Sequence, residues 1–289
     1  MKKQTLLLAL SMAIFGTIAP FVRMTGLASG EVALYRAVLA SVFIGIFLFI
    51  TRQHIDFKGI GKQLPIVIIS GVAMAFNWIL LFEAYKYTTV SVATLSYYFA
   101  PVIVTVACPI LFKERMTLKA WICFVMSTLG LVLITGVGRV GNPLGIVFGL
   151  GAACLYATVI LLNKYIKAID GIHRTFLQFV SAVLVLIPYV ALTDGFNFIS
   201  LDTKGWAALL TVGLVHTGIT YCMYFTSVSN LSGQKASILS YIDPLVAVVI
   251  SVTVLGEDMG LWQWIGGALI LGFTLLNEIK FKKTIANSK

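Results

Sequence analysis

The chain has 289 residues, of which 59% are hydrophobic and 11% charged, with a mean hydropathy of +0.98 and a formal net charge of +10. Soluble domains carry about a quarter charged residues, so soluble cores cannot accommodate this much apolar surface. The basic residues fall in short gaps between apolar runs rather than in one patch, which excludes nucleic acid as a partner and leaves a lipid bilayer.

Ten apolar segments succeed one another, most close to the ~20 residues that cross a hydrocarbon core. The first, 4–22, follows Lys2-Lys3 and shows no small-x-small cleavage site, so it is expected to be a retained span rather than a signal peptide. The second, 30–51, carries Arg36 about two turns in. The third, 64–86, carries Asn77 and, about one turn before its end, Glu83. The fourth, 88–112, holds Tyr97, Tyr98 and Pro101 and runs into Lys113-Glu114-Arg115. After 117–136 and the break Val140-Gly141-Asn142-Pro143 come 144–163, with Asn163, and 172–193. The eighth, 204–227, carries His216, Tyr221 and Tyr224, and the ninth, 233–255, carries Tyr241, Asp243 and Pro244. The turn Gly256-Glu257-Asp258 leads to 261–279. Cys108, Cys123, Cys154 and Cys222 all lie inside apolar runs without C-x-x-C spacing and read as small packing residues, with no metal site.

With ten spans and a cytoplasmic N-terminus, 16 of the 21 basic residues fall on the cytoplasmic side. Arg23, Lys86, Arg139 and Lys204 fall outside, and Arg36 lies within a span. The positive-inside rule therefore places both termini in the cytoplasm.

A shift of 143 residues superposes Ala93 on Ala236, Tyr98 on Tyr241, Pro101 on Pro244, Val106 on Val249, Glu114 on Glu257, Met116 on Met259, Leu118 on Leu261, Trp121 on Trp264 and Ile122 on Ile265. The chain thus divides into five-helix repeats at 1–137 and 143–280 and a short basic tail at 281–289. Because each repeat has an odd number of spans, the second enters the membrane inverted. The fold class expected is an all-α membrane protein of ten transmembrane helices in two inverted repeats, an architecture that lets halves rock about a mid-membrane site.

Polar and ionisable groups inside spans cost about 2.5–3.5 kcal/mol on insertion scales and need a reason. Asp243 and His216 both fall near mid-span, and Pro244 frees a carbonyl one turn back, as tolerated where backbone lines a cavity. Asp243 either contacts a substrate or a proton at that cavity, within reach of His216, or holds the bundle together. Arg36 and Glu83 both lie near the outer face and are expected to pair, as a gate or a structural clasp. Tyr98 and Tyr241, three residues before the repeated prolines, and Tyr221 are candidate substrate contacts or packing residues, with Asn77 as an uncharged candidate. Glu114 and Glu257 are expected to cap or offset the dipole of the helix that follows each. Gly130, Gly149, Gly151, Gly213, Gly218, Gly266 and Gly267 are expected to permit close helix approach. There is no G-x-x-x-x-G-K-[ST], H-E-x-x-H or G-x-S-x-G, so neither direct ATP drive, nor a cofactor, nor an enzyme is expected.

Ala84-Tyr85-Lys86-Tyr87-Thr88, Ala100-Pro101, Lys113-Glu114-Arg115-Met116-Thr117, Asp243-Pro244, Leu255-Gly256-Glu257 and Trp264-Ile265-Gly266-Gly267 carry a resemblance to the drug/metabolite transporter superfamily, of the type with two EamA domains. Phe15-Gly16 resembles its aromatic-glycine pair and Arg36 its second-span arginine. Tyr156-Ala157 stands where the second copy of that pair would be. The resemblance spans essentially the whole chain and implies a central cavity between the halves and export of amino acids, related metabolites or toxic compounds. The function expected is a secondary transporter of the cytoplasmic membrane, proton-coupled or facilitative, as monomer or homodimer. A scaffold without transport activity is the alternative, but it leaves the inverted repeat and Asp243 unexplained.

Overall fold

The computed structural model describes residues 2–55, 57–112, 117–136, 142–169, 171–228, 230–231 and 233–279. Glu114 and the tail 281–289 lie outside the described residues. Among the described residues the regular elements are all helices. Hydrocarbon offers no water to a backbone, so each spanning segment must satisfy its own N–H and C=O groups.

Ten helical spans follow the ten apolar runs. They are α1 (Lys2–Gly16 and Ile18–Thr25), α2 (Ser29–Ile50), α3 (Leu64–Tyr87), α4 (Val90–Tyr97 and Ala100–Phe112) and α5 (Leu118–Gly136). Then come α6 (Pro143–Tyr165), α7 (Gly171–Leu192), α8 (Thr203–Leu210, a π-helical stretch Thr211–Ile219, and Thr220–Val228), α9 (Gly233–Ser240 and Ile242–Thr253) and α10 (Leu261–Glu278). The pieces of α1, α4 and α9 are written a and b. Seven spans are long and apolar enough to cross a membrane alone, and the shorter apolar helices of α5, α9 and α10 complete the ten.

Contacts between helix ends show the chain changing face with every span. On the face where α1 begins, Lys119 at the start of α5 donates to the carbonyls of Asn277 and Ile279 at the end of α10. On the same face, which we term the terminal face, Gln63, before α3, accepts from the backbone N–H groups of Lys167 and Ala168, after α6. On the opposite, distal face the Asn142 N–H donates to the Tyr87 carbonyl, and Glu31, at the start of α2, accepts from the Asn197 N–H beyond the end of α7.

The 143-residue shift carries α4a onto α9a residue for residue and the first residue of α5, Leu118, onto that of α10, Leu261. Packing has the same symmetry. The pairs α2–α7, α4–α9 and α5–α10 each map onto themselves, while α3–α6 exchanges with α8–α1 and α3–α7 with α8–α2. The two repeats are therefore related as inverted copies. The seam between them at α5–α10 has no room for a side chain at its crossing, because a Cβ on Gly266 would lie 2.5 Å from the Gly130 carbonyl oxygen. Such close backbone approach is how membrane helices gain packing energy when lipid is as apolar as their own side chains.

α4a packs against α9b on the distal side, whereas among the described residues α4b and α9a are not packed as partners on the terminal side. The α4–α9 pair is thus closed distally and splayed toward the terminal face. Of the cysteines, Cys123 and Cys222 are buried as expected, but Cys154 is exposed on α6 rather than packed inside.

Candidate functional site

Three spans break three residues before a proline: α1 at Thr17 before Pro20, α4 at Tyr98 before Pro101, and α9 at Tyr241 before Pro244. A proline lacks an N–H and clashes with the carbonyl four residues back, so a helix is interrupted there and restarts with the proline in its first turn. A fourth irregularity is the π-helical stretch of α8. There Thr217 and Thr220 donate to carbonyls five residues back, Val212 and Val215, each at 2.7 Å, matching the widened turn.

These four irregular points meet. Tyr98 Oη donates to Asp243 Oδ2 at 2.6 Å, tying the break in α4 to the break in α9. Gly16 lies against Asp243, where an added Cβ would stand 2.5 Å from that residue's carbonyl oxygen, so only glycine lets the break in α1 join them. Thr17 Oγ1 and His216 Nε2 are 3.0 Å apart, tying the break in α1 to the π stretch of α8. His216 Nδ1 lies 3.2 Å from the Thr211 carbonyl, and the ring packs 5.1 Å from Phe21.

Tyrosines line the space around this junction. Tyr97 stacks near Tyr98 and Tyr156, with centroids 5.8 and 5.3 Å away, and Tyr221 packs edge-on to Phe15 and Phe179. Tyr97, Tyr98, Tyr221 and Asp243 are half-buried and Tyr156 is 39% exposed, so the cluster borders accessible space rather than a closed core. Arg36 joins the junction from α2, through the π-helical stretch of α8. Its guanidinium lies 4.4 Å over the Trp78 ring and 5.4 Å from Phe82, and its Nε donates to Thr217 Oγ1 at 3.2 Å. Aromatic faces attract such a cation, most strongly where water is excluded. Among the described residues neither Arg36 nor Asp243 has an ion-pair partner.

The model of the EamA-like transporter family matches residues 2–136 and again 143–278. The chain belongs to the EamA-like transporter family. It is 29% identical over 280 residues to the uncharacterized transporter YxxF of Bacillus subtilis, covering 94% of this chain and 88% of that one. To an uncharacterized transporter of Archaeoglobus fulgidus it is 28% identical over 276 residues, covering 93% and 94%. Its fold is similar to that of a protein of known crystal structure, with a TM-score of 0.66 and 16% identity over 95% of this chain and 97% of that one. The protein is thus a multi-pass membrane transporter, for which a small-molecule substrate and a surrounding bilayer follow.

In this EamA-like transporter several expected contacts are redrawn. Arg36 does not pair with Glu83, which binds Lys86 at 2.9 Å near the surface, while Arg36 turns inward to Trp78 and Thr217. The partner of Asp243 is Tyr98, and His216 bonds Thr17 instead. Asn77 is spent on a helix contact, its amide donating to the Ala152 carbonyl at 2.6 Å, and Asn163 accepts from Gln178 at 2.9 Å. Tyr241 leaves the tyrosine cluster and lines an apolar cavity of about 350 Å³ with Leu245, Val248 and Trp264. Glu257 does not serve α10, whose first turn is closed by Gln263 Oε1 accepting from the Gly260 N–H. It accepts instead from the Val90 N–H, so it caps α4 of the other repeat. Sequence reasoning missed Thr17, Trp78, Phe82, Tyr156 and Thr217. Thr17 was signalled by Pro20, and Tyr156 by its place in the sixth-span position of the aromatic-glycine pair.

Proposed function

We propose that this transporter exports a small zwitterionic metabolite of the amino-acid kind across the cytoplasmic membrane, by alternating access of the repeats 1–137 and 143–280 about the Asp243 junction. The asymmetry of basic residues supports cytoplasmic termini, and with them the distal face is the outer one. The observation that carries the reading is a pair of intramembrane charges, Asp243 and Arg36, that among the described residues have no ion-pair partner and instead meet Tyr98 and Trp78. A carboxylate and a guanidinium at membrane depth are costly and persist where they serve a ligand or an ion path. Asp243 fits an ammonium, Arg36 a carboxylate, and the rings between them an apolar or aromatic middle. Asp243 is also the titratable group that a proton-coupled cycle would use.

The test is counterflow of labelled amino acids in vesicles holding purified protein, with Asp243→Asn as the key variant. Asn keeps the size and the bond from Tyr98 while removing titration. The expected outcome is uptake of at least one zwitterion by the unaltered protein, and in Asp243→Asn, at equal expression and stability, loss of most transport or of its pH dependence. Unaltered rates and pH profile in Asp243→Asn would remove Asp243 from the mechanism.

A further inference from the structure

At the distal face two opposite charges from different repeats meet. Arg23, in the last turn of α1b, places Nη1 2.6 Å from Oε1 of Glu257 in the α9–α10 turn. The rest of its guanidinium donates to the carbonyls of Tyr85 and Thr88, at 2.7 and 3.2 Å from Nη2. The second oxygen of Glu257 accepts from the Val90 N–H at 2.7 Å and from Ser251 Oγ at 2.5 Å, and Ser251 Oγ accepts from the Ser91 N–H at 3.2 Å. One carboxylate of the second repeat therefore fills the N-terminus of α4 in the first, where unpaired N–H groups and the helix dipole favour an anion. An arginine of the first repeat closes over it.

We infer that Arg23 and Glu257 form the latch of the outer gate, holding the distal entrance shut and releasing once in each transport cycle. The inference rests on the alternating-access reading above, and three features support it. The latch joins the two repeats directly, and those are the bodies that must part for the site to open outward. It sits at the end of the α4a–α9b contact, the stretch over which α4 and α9 are packed. Its bonds are polar and at the water's edge, with the Arg23 side chain 33% exposed, so water can replace them when they break, unlike a buried pair that would strand its charges. Arg23 and Glu257 are positioning residues that govern access without touching substrate.

The test reads accessibility rather than activity. In full-length protein whose cysteines at 108, 123, 154 and 222 are replaced by alanine, Ala247→Cys supplies one thiol. Position 247 is buried and lies one turn distal to Asp243 on the same face of α9b, between latch and site. A membrane-impermeant maleimide added outside intact cells should label it slowly with the latch intact, and about tenfold or more faster in Glu257→Gln or Arg23→Gln, the scale of one or two lost charged hydrogen bonds. Arg23→Lys, which keeps the charge but not the forked donors, should fall between. Equal labelling rates in all backgrounds would overturn the latch. Mere fraying of α4 would also expose the thiol, so a second measurement is needed. Arg23→Cys with Glu257→Cys, bridged by a bifunctional thiosulfonate, should stop transport until a reductant restores it, and full transport in the bridged protein would equally overturn the latch. Labelling needs no substrate, so latch-dependent labelling beside an inert amino-acid panel would sink the substrate assignment alone.

Discussion

At the α3–α6 contact both helices are continuous, and Asn77 pins them by donating to the Ala152 carbonyl. At the symmetry-related α8–α1 contact both are interrupted, and Thr220 bonds within its own helix to Val215. The side chains follow the same division. Asp243, in the interrupted corner, corresponds under the 143-residue shift to Ala100. The repeats therefore share a frame of helix crossings but not a chemistry. Each polar group at membrane depth costs free energy, so a duplicated site would cost twice and would bind a substrate in two opposed orientations. Keeping one irregular corner and one regular corner gives a single oriented site and leaves α3–α6 as a stiff arm.

If that division is right, damage to the frame should unfold the protein, and damage to the polar corner should silence it while it stays folded. The largest effect on stability is expected at the α5–α10 seam. In Gly266→Leu the new side chain would meet the Gly130 carbonyl and Ile134, and overpacking of a rigid contact costs about 1–3 kcal/mol, occasionally more. Thermal unfolding in detergent should show a marked loss of stability and yield. Gly272→Leu adds the same bulk on the same helix, where no neighbour lies within 4 Å, and should change little. Equal losses in both would mean that the seam is not the frame.

Arg36→Met tests the other side of the comparison. Met fills a similar space on Trp78 and removes an unpaired cation, and apolar replacement of buried charge is often neutral or stabilising. Stability should therefore hold or rise, while transport falls about tenfold to hundredfold, the equivalent of one or two charged hydrogen bonds to substrate. Arg36→Lys should lie between, because a compact ammonium does not reproduce the flat stack on the ring. Loss of folding in Arg36→Met with normal specific transport of the surviving fraction would make Arg36 a structural clasp.

The frame was legible in the sequence because its determinants are local. Hydropathy fixed the spans, and the repeated Tyr-x-x-Pro marked both breaks in α4 and α9, which the structure places at Tyr98 and Tyr241. Partners were less legible because they depend on azimuth and on the other repeat. Arg36 and Glu83 were matched by depth, but adjacent residues on a helix point about 100° apart, so Phe82 faces Arg36 while Glu83 points away to Lys86. Glu257 was read with the nearest helix, α10. Its actual partner, Val90, is 167 residues away in sequence and comes close only when the repeats assemble.

The smallest effect is expected at Asn77, a candidate substrate contact by sequence and a structural pin by geometry. Its amide lies 2.6 Å from the Ala152 carbonyl, and the residue is buried where α3 and α6 pack, so no donor is left pointing at the tyrosine cluster from this bond. Interhelical hydrogen bonds in membranes average about 0.6 kcal/mol, because the competing state also finds partners for the freed groups. Asn77→Ala should therefore lower thermal stability slightly and leave the ranking of substrates unchanged. A modest fall in rate is compatible with a loosened arm. A reordered substrate preference at unchanged stability would instead put Asn77 in the binding site. The substrate site would then extend into the regular corner, and the contrast between the two corners would fail.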